Sequence, residues 1–311
     1  MIRVVVDSLT KRRLTTAELD AVTRRALGAP LAEHVELTDG MFSSAYRLTA
    51  VDGRQAVLKA APPPDVPLLT YERDLMRTEV LALRLMAARG LPVPEVLLAE
   101  DGLLVMTALR GEPWSAARER LTDEEHRALR RDLGAITREM HGITGEVFGY
   151  PQGPNAPTWR EAFPAMVEAV LADAERFGVA LPEVRPAIAA GAPALDEVTT
   201  PALVHFDLWE GNVFLLDGRI EGVIDPERAL FGDPLAELAT VCVFADLDED
   251  FLAGYGLGEI TGAMRTRIAL YRVYLCLILI VEGVPRGYRG TEWDVHERFF
   301  REQLAVYLDL L

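Results

Sequence analysis

Lysine is almost missing from this chain: Lys11 and Lys59 stand against 30 arginines in 311 residues. Arginine has been used wherever any cation serves, so a lysine kept in an apolar setting implies a chemical requirement. Lys11 lies beside Arg12 and Arg13 and suggests no such need, whereas Lys59 sits inside the apolar run Ala56-Val57-Leu58-Lys59-Ala60. Cysteine is scarce too. Cys242 and Cys276 both fall in apolar runs, which argues against a disulfide framework and for buried thiols in a reducing cytoplasm. Long hydrophobic runs are absent. Residues 273–281 form the longest, well below the roughly 18–20 residues a membrane span needs, so a buried helix is expected there. The opening residues 1–7 carry too short an apolar run for a signal peptide.

Positive charge is also short, and unevenly so. The formal net charge is −16, yet the first 110 residues carry 14 basic and 14 acidic side chains, so the whole excess lies beyond them. An acidic surface repels nucleic acid and anionic membranes; it favours a small cationic partner, or simply keeps the protein soluble. Half of the residues are hydrophobic, enough for a sizeable core.

The pattern along the chain changes once. Residues 15–27 read as a helix, capped by Thr15 or Thr16, with Leu19, Val22 and Ala26 on one face. Strands follow at 35–38, 45–50 and 55–60, the last two joined by Asp52-Gly53, a hairpin signal. A helix over 69–89 ends at Gly90, and strands at 92–98 and 103–107 flank the turn Asp101-Gly102. This predicts a five-stranded antiparallel sheet with one helix inserted after the third strand. From Gly111 helices dominate, expected at 122–141, 159–177, 182–196, 232–245 and from 260 onward. They are interrupted by a β-like section at 213–216 and 220–224 around Asp217-Gly218. The fold class is therefore α+β: a small antiparallel-sheet lobe over 1–109, then a larger, mainly helical lobe over 110–311. A cleft between the lobes is the natural ligand site.

The stretch that carries chemistry is Val204-His205-Phe206-Asp207-Leu208-Trp209-Glu210-Gly211-Asn212, followed by Gly222-Val223-Ile224-Asp225-Pro226-Glu227. Phosphoryl transfer needs a carboxylate to orient a hydroxyl and take its proton, and oxygen ligands for the Mg²⁺ that neutralises the phosphates. Asp207 fits the base, and Asn212 and Asp225 fit the metal ligands.

His-x-Asp, four residues, Asn, and then Ile-Asp one hairpin later resembles the aminoglycoside phosphotransferase and choline kinase family. The resemblance extends through Phe231-Gly232-Asp233-Pro234-Leu235-Ala236-Glu237-Leu238. It implies a protein-kinase-like fold, ATP or GTP as co-substrate, Mg²⁺, and transfer to a hydroxyl of a small molecule. Residue by residue, it gives Lys59 the α- and β-phosphates and makes Glu79 its partner, with Glu72 and Asp74 as rivals. Residues 39–44, including Gly40, Ser43 and Ser44, would cover the phosphates, and Thr107-Ala108-Leu109 would form the hinge against the base. His205 is expected to brace the catalytic loop, catalysis being its other reading. Asp233 is expected to brace the same loop, and His141 to pack at a helix end.

Three departures bear on the acceptor. Phe206 replaces the arginine of protein-kinase catalytic loops and no Ala-Pro-Glu follows Asp225, both against a protein substrate. Asp225-Pro226-Glu227 replaces the Asp-Trp-Glu common in the antibiotic-modifying enzymes, which weakens assignment to that subgroup. The acidic helical lobe suggests a cationic acceptor such as an aminoglycoside or amino sugar, with Trp209, Glu210, Asp246 and Glu282 as candidate contacts. A neutral-sugar or other metabolite kinase, a nucleotide-binding pseudokinase and a metallohydrolase are the alternatives.

Overall fold

The computed structural model describes residues 8–38 and 40–311. Helix α1 (Thr16–Leu27) begins where Thr15 accepts from the Glu18 N–H and the Glu18 carboxylate accepts from the Thr15 N–H. This reciprocal cap is the arrangement that stabilises a helix start. Leu19 and Val22 then seal one face of an antiparallel sheet of β1 (Leu31–Leu37), β2 (Ser44–Ala50), β3 (Gln55–Ala60), β4 (Val96–Glu100) and β5 (Leu103–Thr107). The strand order is β1-β2-β3-β5-β4. The Asp101-Gly102 turn has both residues at positive φ, the conformation a tight hairpin demands.

Side chains alternate across a strand. In β3, Leu58 and Ala60 therefore join the α1 side, while Val57 and Lys59 face helix α2 (Leu75–Ala88). That parity aims the lysine at the helix. The helix expected over 69–89 is broken: a single 3-10 turn spans Thr70–Glu72, and α2 starts only after Asp74, whose φ is +60°. The break frees the segment before α2 to dock on the helical lobe. Thr70 N–H donates to Asp173 at 2.5 Å, Gln152 donates to the Tyr71 carbonyl at 2.6 Å, and the Tyr71 ring stacks on Tyr150.

The second lobe is built on α3 (Asp123–His141), α4 (Trp159–Phe177), α5 (Glu249–Tyr255), α6 (Gly262–Val281) and α7 (Thr291–Leu308). The apolar run at 273–281 lies in α6 and is buried almost throughout. Among the described residues no helix is long and apolar enough to cross a membrane. The hairpin β6 (Val213–Leu216) and β7 (Arg219–Val223) turns at Asp217-Gly218, again at positive φ. Two expected helices are shorter than their patterns suggested. Residues 182–196 divide into Arg185–Gly191 and a 3-10 segment, Ala192–Glu197, with Pro193 in its first turn. Residues 232–245 hold a 3-10 turn, Pro234–Glu237, then one helical turn, Leu238–Val241, before Phe244 turns the chain at φ +52°. Both cysteines are buried and free.

Candidate active site

The catalytic-loop motif follows the short strand Ala202–Val204. Phe206 is held at φ +56°, a conformation a non-glycine residue keeps only under constraint. Glu237 supplies it. Its carboxylate accepts from the N–H of His205 at 2.8 Å and of Phe206 at 3.0 Å, and Thr240 carries the brace on to the Leu208 N–H. Asp233, expected in this role, instead accepts from Leu235 N–H at 3.0 Å and Tyr271 hydroxyl at 2.7 Å and forms an ion pair with Arg267 at 2.8 Å. It ties its turn to α6, because the Pro234 turn carries the next acid, Glu237, to the loop. His141 ends α3 beside this brace, 3.6 Å from Glu237, with Tyr255 hydroxyl on its other nitrogen.

His205 bridges the two halves of the motif. Its Nδ1 accepts from the Asp207 N–H at 3.3 Å, so its Nε2 carries the proton and donates to the Ile224 carbonyl at 3.0 Å. Burial lowers its pKa and keeps it neutral, as a brace requires. Asn212 donates from Nδ2 to the Asp207 carbonyl at 2.8 Å and to its carboxylate at 3.2 Å, and its own carbonyl accepts from Ile224. Asp207, Asn212 and Asp225 are thereby linked through backbone and side chain. Burial pushes the Asp207 carboxyl up to about 7; Arg228 opposes the rise, and Asp225 and Glu282 add to it.

Lys59 reaches this group from β3. Its Nζ donates to Glu79 at 2.7 Å and to Asp225 at 2.5 Å, and lies 4.0 Å from Glu227. Burial disfavours its charge, but the carboxylates of Asp225, Glu79 and Glu227 outweigh that and hold it protonated. Of the three acids considered for α2 and the turn before it, Glu79 is the partner. Glu72 instead pairs with Arg286, and Asp74 makes the left-handed turn. Carboxylate oxygens of Glu79, Asp225 and Glu227 all lie within 4.8 Å of one another. Burial pushes Glu227 up to about 8, with Asp225 adding to it, while Lys59 pulls it down.

The other candidates divide. Gly40 and Ser43 lie in the loop before β2, and both offer their carbonyls to Lys11; Asp39 lies outside the described residues. A methyl at Gly40 would have room, its nearest neighbour being 3.8 Å away, so the backbone does not require glycine. Ser44 opens β2 with its hydroxyl buried and without a hydrogen-bond partner. Thr107 accepts from the Glu95 N–H at 2.9 Å, and Leu109 packs over Gly222. The N–H groups of Arg110 and Gly111 then anchor on Glu221. Trp209 lies over Gly211, and Glu210 is engaged by His126 at 3.0 Å. Asp246 is exposed in the loop before α5. Glu282 is only 1 % exposed, its carboxylate taken by Arg228 at 2.9 Å and Arg286 at 3.0 Å. Beside Asp246, Asp248 caps α5 and pairs with Arg130, and Asp250 pairs with Arg131.

Sequence reasoning passed over Lys11, Arg228, Glu237 and Arg286. Glu237 was visible as the acid after Gly-Asp-Pro; the others carried no local signal.

Residues 34–271 match the model of the phosphotransferase enzyme family. The chain belongs to that family. This phosphotransferase is 28% identical over 250 residues to the probable ketoamine kinase of Thermus thermophilus, covering 78% of this chain and 86% of the relative. Among solved structures it resembles a "putative fructosamine-3-kinase" from Thermobifida fusca, with TM-score 0.68, 24% identity, and coverage of 94% of this chain and 100% of the other. It also resembles aminoglycoside phosphotransferase APH(4)-Ia, in a ternary complex with AMP-PNP and hygromycin B. The TM-score is 0.66 at 20% identity, over 94% of this chain and 98% of the other. At these identities the two structures establish a common kinase-like fold.

Proposed function

We propose that this phosphotransferase moves the γ-phosphoryl group of ATP or GTP onto a hydroxyl of a small sugar that carries an amine. One observation carries the reading: a charged lysine buried between Glu79 and Asp225, beside a catalytic loop whose carboxylate is tuned to about 7. Asp207 takes the hydroxyl proton as the acceptor oxygen bonds to the γ-phosphorus, and the bond to the β-bridging oxygen breaks to release the diphosphate. Asn212 holds Asp207 in line, and Lys59 steadies the α- and β-phosphates. The oxygen-only donors Asn212 and Asp225, with Glu227 close to Asp225, fit Mg²⁺, a hard cation. Bound there, Mg²⁺ supplies neutralisation of phosphate charge; the protein's own share is positioning and electrostatics.

Support for an amine-bearing acceptor comes from the −16 charge concentrated in the helical lobe and from the ketoamine kinase relative. Asp248 and Asp250 are spent on Arg130 and Arg131, so the acceptor's ammonium is read by the general field of the lobe and by exposed acids such as Asp246. The test is transfer of ³²P from γ-labelled ATP or GTP to a panel of ketoamines, aminoglycosides, amino sugars, neutral sugars and amino alcohols. Labelling confined to neutral or anionic compounds would overturn the charge argument, and labelling of none would overturn the kinase reading.

A further inference from the structure

Both lysines of this lysine-poor chain lie at the same loop. Lys59 pairs across the β2–β3 ladder with Ala45, two residues beyond Ser43. Lys11 comes from the strap before α1, and its Nζ donates to the carbonyls of Gly40 and Ser43, the latter at 2.8 Å. The two carbonyls between them are also engaged. The Thr10 hydroxyl donates to the Phe42 carbonyl at 2.6 Å and the Tyr288 hydroxyl to the Met41 carbonyl at 3.1 Å. Four consecutive carbonyls are thus held by outside donors. Among the described residues, no N–H of Gly40, Met41, Phe42 or Ser43 donates to a protein acceptor. A run of N–H groups with no partner among the described residues suits an anion.

An ammonium has three N–H donors. Lys11 spends two on Gly40 and Ser43. The charges of Glu36, Glu227, Lys59 and Asp225 all act on its ammonium, so it stands within electrostatic reach of the Lys59–Asp225 group. An ammonium is a compact, rotatable point charge, whereas a guanidinium spreads its donors over a rigid plane. The compact head suits a cation that must sit against two loop carbonyls and keep a donor free.

We infer that Lys11 is a second phosphate-binding cation of this enzyme, giving its third N–H to the terminal phosphates of the nucleotide while it fixes the loop that covers them. The inference rests on the kinase reading, because it needs a nucleotide in this cleft. The test is direct titration of the intact protein, without acceptor, with ATP and with adenosine (or GTP and guanosine if GTP is preferred), for wild type, Lys11→Ala, Lys11→Gln and Lys59→Ala. Glutamine keeps two N–H donors for the carbonyls but carries no charge. Loss of a charge-assisted hydrogen bond should weaken ATP by about tenfold in both Lys11 variants, with adenosine changed less than about twofold. Thermal midpoints within a few degrees of wild type identify Lys11→Gln as folded. Unchanged ATP affinity in Lys11→Gln, or equal weakening of ATP and adenosine, would overturn the inference and leave Lys11 a loop brace. If Lys59→Ala weakens ATP in the same series, the kinase reading survives that outcome; if wild type binds no nucleotide, both fall.

Discussion

Arg286 is 2 % exposed and holds two buried acids at once: Glu72, 2 % exposed, at 2.5 and 3.1 Å, and Glu282 at 3.0 Å. Its guanidinium also lies 4.8 Å from the ring centre of Phe42, in the loop before β2. Replacing it by methionine keeps most of the packing and removes the charge. Glu282 retains Arg228, but among the described residues Glu72 is left with only the Leu69 N–H. A glutamate stranded in this way either stays charged, at a cost of about 3–5 kcal/mol for a broken buried pair, or takes up a proton. At pH 7.5 protonating an ordinary glutamate of pKa about 4.3 costs about 4 kcal/mol, and at pH 5.5 about 2 kcal/mol. Arg286→Met should therefore lose about 4 kcal/mol of unfolding free energy at pH 7.5, and only about half of that at pH 5.5. Adding Glu72→Gln removes the stranded charge and should restore part of the loss. The assay is urea denaturation of both single variants and the double at the two pH values. An equal loss at both, or a double variant less stable than Arg286→Met, would refute the stranded-charge argument.

The proposed mechanism requires Asp207 ionised, and burial pushes its carboxyl up to about 7. kcat/KM for the nucleotide, which reports the free enzyme, should accordingly fall about tenfold per unit as pH drops below 7; a flat profile from 5.5 to 8 contradicts this. Glu237→Gln replaces a carboxylate that accepts two loop N–H groups by an amide with a single acceptor oxygen. It should lower kcat at least about tenfold while leaving nucleotide affinity within about twofold, since charged hydrogen bonds of this kind contribute about 1.5–3 kcal/mol; unchanged kcat would remove Glu237 from the loop's support.

The sheet was legible because its signals are local. Asp52-Gly53 and Asp101-Gly102 punctuate alternating strands, and parity along β3 aims Lys59 at α2. Glu79 was legible through its place on that helix. What stayed hidden depends on chain segments far apart. Arg286 meets Glu72 across 214 positions, and no periodicity announces it. The Lys11 contact is equally nonlocal and was masked by the neighbouring Arg12 and Arg13. The helix expected from 69 failed because the apolar pattern of Leu68, Leu69 and Tyr71 serves docking on the second lobe rather than a helix face. Asp246 was expected as a substrate contact, but its neighbours Asp248 and Asp250 neutralise arginines of α3, a pairing invisible without the helix beside it.

The most direct test of the whole account is a phosphate balance on the acceptor that labels best in the panel, run for wild type and Asp207→Asn with nucleotide affinity measured in parallel. Wild type should form one phosphomonoester for each nucleoside diphosphate released. Asp207→Asn should form at least about a thousandfold less per unit time, as expected when an essential proton acceptor is lost, while binding nucleotide within about threefold of wild type. A variant that transfers phosphate at near-normal rate would contradict the assignment of Asp207 and the mechanism built on it.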